Sequence, residues 1–137
     1  MRSPDLDQVP EELARTAFRN GSEMAWKQGD CTAAIEWLRS VGRAVLGTDM
    51  WLVHGANIYT AIRTKAGPTI YCTACDPLQN EHWNDYVDRS AKLAIEWISS
   101  FRWPEDAAEP PSPVYFNITW ADRAFFRDHG HANFEED

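Results

Sequence analysis

The chain has 137 residues, which fits one domain of the usual ~100–200 residues and is long enough to bury a core without disulfide or metal staples. Its formal charge of −8 repels phosphate backbones, which argues against nucleic acid as a direct ligand and favours a basic protein partner, although acidity also serves plain solubility. No stretch approaches ~18 consecutive apolar residues, so no membrane span is expected, and the polar start Met1-Arg2-Ser3-Pro4-Asp5 lacks the apolar core of a signal peptide.

Residues 1–8 and 131–137 read as disordered tails around a single domain spanning 1–137. Pro10-Glu11-Glu12 has the form of a helix start: proline suits the first turn and two carboxylates face the positive end of the dipole. Leu13, Ala14, Ala17 and Phe18 then share one stripe, and Asn20-Gly21 ends it. Ser22 to Trp26 is too short to assign. Asp30 is placed to cap a helix over about 31–41, in which Cys31, Ala34, Ile35, Leu38 and Val41 recur with helical period. Gly42 stands where a left-handed terminating residue belongs.

Val45-Leu46 and Met50 to Val53 read as strand pieces around a turn or bulge at Gly47-Thr48-Asp49. Ile58 to Thr64 and Thr69 to Ala74 predict a hairpin separated by Lys65-Ala66-Gly67-Pro68. The segment 81–101 has two readings. Trp83, Tyr86, Val87, Ala94, Trp97, Ile98 and Phe101 lie on one stripe of a single long helix. The alternative, preferred on the strand propensity of Tyr86-Val87 and the capping propensity of Ser90, is a short strand over Asp85–Asp88 followed by a helix from Ala91. The acidic, proline-rich segment 105–113 reads as a mobile loop. Val114 to Trp120 alternates cleanly: Val114, Phe116, Ile118 and Trp120 point one way, Tyr115, Asn117 and Thr119 the other. The sum is an α+β fold, an antiparallel-rich sheet of four to six strands with about three helices packed on one face.

No residue constellation announces a reaction. Cys72-Thr73-Ala74-Cys75 is a C-x-x-C, but it closes a strand, where residues three apart point to opposite faces and the dipole of a helix start is missing. Three cysteines, an odd number, do not make a disulfide framework, and a reducing cytoplasm suits them. The histidines at 54, 82, 129 and 131 have no nucleophile beside them. No phosphate loop, dinucleotide fingerprint or zinc-protease motif occurs. The reading is a non-enzyme with no catalytic residues, no metal and no cofactor. The alternatives are a small metal-dependent enzyme or sensor built on Cys72, Cys75 and the histidines, and a regulatory adaptor.

Seven tryptophans are the positive signal. Trp37, Trp97 and Trp120 lie on inward stripes. Trp51 and Trp83 lie nearer to breaks and acids, with Asp49 two residues before the first and Glu81, Asp85 and Asp88 around the second. An aromatic ring among carboxylates suits a basic partner, the ring supplying buried area and the acids steering approach. The expected partner-binding residues are therefore Asp49, Trp51, Glu81, Trp83, Asp85 and Asp88. So many tryptophans would also suit a homodimer.

Several segments, taken in order, resemble one family. They are Phe18-Arg19-Asn20-Gly21 with Glu23 and Ala25-Trp26; Ala33 to Leu38; Gly42 to Trp51; Tyr86-Val87-Asp88-Arg89-Ser90 with Ala94 and Trp97-Ile98; and the strand ending at Trp120. This pattern resembles predicted immunity proteins of bacterial polymorphic toxin systems and covers about residues 18–120. The chain departs from it at Thr48, where a second glycine is expected, in a longer hairpin over 58–75, and after Trp120. The resemblance implies a cytoplasmic binder that neutralises a cognate toxin by occluding its active site, with no nucleic acid or membrane as direct partner. The acidity implies that the toxin is basic.

Overall fold

The computed structural model describes residues 9–129 and residue 134, the side chains of 128 and 129 apart. Among them are four α-helices and eight strands. In chain order these are α1 (Glu11–Thr16), β1 (Phe18–Asn20), β2 (Glu23–Lys27), α2 (Cys31–Ser40), β3 (Ala44–His54), β4 (Asn57–Tyr59), β5 (Ala61–Thr64), β6 (Gly67–Ile70), β7 (Cys72–Ala74), α3 (Trp83–Ser100), β8 (Val114–Ala121) and α4 (Arg123–His129).

The architecture is α+β. Six strands form an antiparallel sheet in the order β1-β2-β8-β3-β4, and β7 pairs with β3 beside β4. β5 and β6 form a separate hairpin. The longest strand, β3, pairs with β8 from Ala44↔Ala121 to Leu52↔Val114. Its other edge is shared by β7 at Gly47–Asp49 and β4 at Leu52–His54.

The alternation read in β8 sets the two faces. Phe116, Ile118 and Trp120 are fully buried with Met24, Trp26, Val45 and Met50, against Ala34, Ile35 and Leu38 of α2 and Ala91, Ala94 and Ile98 of α3. Each large side chain taken out of water there stabilises the fold by ~1.5–3 kcal/mol. Trp26 and Trp120 lie 6.5 Å apart between centroids, and Trp26 donates its indole N–H to the Leu13 carbonyl at 2.9 Å. A second cluster joins Trp83, Tyr86 and Val87 of α3 to Ala44, Cys75, Ala121 and Phe126. Phe134 packs there too, 4.9 Å from the Trp83 ring. The rest of the expected tails lies outside the described residues.

Several local expectations are corrected. The segment 83–100 is one helix, with no strand at 85–88. Tyr86, Val87 and Ser90 are all buried, and the Ser90 hydroxyl donates to the Val87 carbonyl at 3.1 Å and accepts the Val45 N–H at 3.0 Å. Strand-type propensity at Tyr86-Val87 is overridden because the long stripe has a sheet to pack on. Asp30 does precede α2, but its side chain makes no capping bond, because a 3-10 turn at Gln28–Asp30 already leads into the helix. Gly42 has the left-handed conformation expected, φ 74.

At 47–49 β3 does not break. The irregularity is a bulge between Val45 and Gly47, which leaves Leu46 without a partner on β8. Gly47 is needed for a different reason: a Cβ there would meet the Thr73 carbonyl oxygen at 2.8 Å. In the hairpin, Gly67 and Pro68 belong to β6, and the turn is only Lys65-Ala66. The segment 105–113 forms no helix or strand and is tied to the hairpin: Ala108 donates its N–H to the Arg63 carbonyl at 2.8 Å, and the Lys65 N–H reaches Asp106 at 3.2 Å.

Candidate partner-binding surface

Helices α2 and α3 pack on the face of Phe116, Ile118 and Trp120; on the other face Phe126 of α4 packs with Ala44 and Ala121 at one end of the sheet. Pairing carries one row across that face: Phe18, Ala25, Asn117, Asp49 and Cys72. The adjacent row runs Lys27, Tyr115 and Trp51. Phe18 lies 5.7 Å from Tyr115 and 6.3 Å, edge-on, from Trp51. The three rings lean together over the inner strands, and Ala25 beneath them is fully buried. Trp51 is 5% exposed and serves as floor; Phe18 and Tyr115 are half-buried and form the accessible part of the patch. The Lys27 ammonium stands 5.9 Å from the centre of the Tyr115 ring, a position the negative ring face favours.

Asp49 closes this patch on the β3 side. It is exposed as a residue, yet its carboxyl lies low enough among its neighbours that burial raises its pKa above the usual carboxylate value. No hydrogen bond or cation among the described residues opposes that effect. Its cross-strand neighbours bring no positive charge: Cys72 is exposed, and Asn117 is buried and donates its amide to the Met24 carbonyl at 2.9 Å. Burying part of a carboxylate without a partner costs stability, so this is the polar group on the face whose position the fold does not explain.

The remaining expected site residues lie elsewhere. Glu81 lies just before α3, and Trp83, Asp85 and Asp88 in its first turns; Trp83 packs with Ala44 and Ala121, at the other end of the β3–β8 pair from Trp51 and Tyr115. The six therefore do not form one patch. The Trp83 ring is 5% exposed, sits in the second cluster and donates its indole N–H to the Gly42 carbonyl at 2.9 Å. Glu81 is held by Arg89 in a two-pronged ion pair that lowers its pKa. Asp88 accepts from Arg39 Nε at 2.8 Å, and Asp85 is exposed. Asp85 and Asp88 line an open groove with Glu36, Arg39, Lys92 and Glu96, where both signs of charge meet.

Phe18, Tyr115 and Asn117 of this candidate surface are not among the residues expected from sequence. The outward phase of β8 pointed to Tyr115 and Asn117, but the sequence could not show that β8 inserts beside Asp49.

Among the described residues no three histidine, cysteine or acidic side chains gather as a metal site. The cysteines are scattered: Cys31 is sealed in the main core, Cys75 is buried in the second cluster, and Cys72 is exposed. His54 packs against Tyr59 at 5.6 Å, and His82 precedes α3. His131 and the His129 side chain lie outside the described residues. No helix is long and apolar enough to cross a membrane.

A family model described as Immunity protein 40 matches residues 13–118. No curated protein and no solved structure matches the chain.

Proposed function

The chain belongs to the Immunity protein 40 family, and from that premise we propose that it binds a cognate toxin domain in the cytoplasm and blocks that domain's active site, without catalysis of its own. The observation that carries this reading is the unpaired, partly desolvated Asp49 carboxylate beside the Phe18–Tyr115–Trp51 rings, on the sheet face opposite α2. A carboxylate held that way loses stability alone and regains it when a cation arrives. The net charge of −8 supplies long-range attraction, so the proposed partner is basic; a nuclease, with a groove for phosphate, fits that charge.

Of the six residues expected from sequence, Asp49 is the proposed contact. Trp51 supports it from below, Asp85 and Asp88 act at longer range as steering charges, and Glu81 and Trp83 hold the start of α3 in place.

Co-expression tests the role. The toxin domain encoded beside this gene should be lethal alone and harmless with this chain. Association of the purified pair should slow as salt rises, with dissociation changing less. Lethality undiminished by co-expression would remove the immunity reading, and a salt-insensitive association rate would remove its electrostatic part.

A further inference from the structure

On the immunity reading, we infer that the sheet face bearing Phe18, Tyr115 and Asp49 receives an arginine side chain of the toxin, its guanidinium on the Asp49 carboxylate and its methylene stem across Phe18 and Tyr115. The strands beneath this face are paired along both edges, β8 with β2 and β3, and β3 with β8, β7 and β4. A partner here therefore reads side chains and cannot add a strand to the middle of the sheet.

Two other charged residues share the outward phase on this face, Glu23 and Lys27. Lys27 sits over Tyr115 and forms no ion pair with Asp49. Asp49 is thus left for a charge from outside, next to rings that already hold one cation. A guanidinium suits that setting better than an ammonium. It is planar, more weakly hydrated, able to bond both carboxylate oxygens and able to lie on an aromatic face. Cys72, on the opposite side of Asp49, is small and exposed.

The test uses the full chain and an inactivated form of the toxin domain encoded beside its gene. Asp49→Asn keeps the shape and removes the charge, and should weaken the Kd at least ~30-fold, since cutting one partner of a desolvated interfacial pair is costly. Tyr115→Leu should weaken it less, and Asp85→Asn with Asp88→Asn should lower the on-rate only. Treating the toxin with phenylglyoxal, which blocks arginine, should abolish binding, whereas reductive methylation of its lysines should not.

Loss on lysine methylation with none on phenylglyoxal would overturn the arginine assignment. Asp49→Asn binding within ~3-fold of the parent, with greater loss from the α3 double variant, would move the site to the helix layer and leave the immunity reading intact. Failure of the unmodified pair to bind would remove both.

Discussion

Arg89 and Glu81 form a two-pronged ion pair, Nε to Oε2 at 2.9 Å and Nη2 to Oε1 at 2.8 Å. The same guanidinium donates to the Asp76 carbonyl at 2.8 Å and to the Cys75 sulfur at 3.2 Å, while Glu81 also accepts the Leu78 N–H at 3.0 Å. One side chain of α3 thereby fastens the whole connection from β7. Arg89→Met should cost ~1–3 kcal/mol in urea unfolding, because it strips a carboxylate and a carbonyl of their donor together. The Glu81 carboxyl titrates below its ordinary 4.5, chiefly because of the Arg89 bonds. Its stabilisation is therefore fully present above that ordinary value and is lost as pH falls through the depressed one. Arg89→Met should flatten this acid limb; an unchanged limb would show that the pair does not contribute.

Asp49 has the opposite sign. Burial raises its folded pKa above the ordinary 3.8, so the folded state is penalised above the raised value and relieved as pH falls through it. In the absence of partner, Asp49→Asn should leave stability at pH 7 equal or slightly higher, within ~0.5 kcal/mol. A loss above ~1 kcal/mol would mean that the carboxylate holds the sheet together, contrary to a binding role.

Gly47→Ala should destabilise by ~1–3 kcal/mol, because the added Cβ would stand 2.8 Å from the Thr73 carbonyl oxygen and β7 would have to move. Gly21→Ala differs: nothing lies within 4 Å of that Cβ, and the cost comes only from the φ of 61. Hydrogen exchange should quicken locally at 72–74 in the first variant. Equal protection there would disprove the close-approach account.

Thiol labelling of the native protein should show one fast site and two slow ones. Cys72 is exposed. Burial pushes the Cys31 thiol up to about 12 and raises that of Cys75, leaving little thiolate at pH 8. Mass spectrometry after brief alkylation should find Cys72 modified, with the other two reacting only on unfolding.

The helix at 31–40 was readable because its apolar period and its terminating Gly42 agree with its packing. The start of α3 was misread because Ser90 has the chemistry of a cap but is used for a tertiary bond to Val45. The candidate surface was half visible. Asp49 and Trp51 stood out by type, and the outward phase of Tyr115 and Asn117 was plain. Their meeting depends on a strand pairing across more than sixty residues of chain, Asp49↔Asn117, which no local pattern encodes. Glu81 and Trp83 looked like surface groups because their partners, Arg89 and Gly42, are visible only after folding.

β8 is made late, yet it lies between β2 and β3, which share no pairing of their own. Until residues 114–121 leave the ribosome, the first two hairpin arms have nothing to join them, and the ring of Phe18 has no route to that of Trp51. Such distant closure is slow to nucleate. On the proposed immunity role, a nascent or prematurely stopped chain would confer no protection, and translation would have to finish before the toxin arrives.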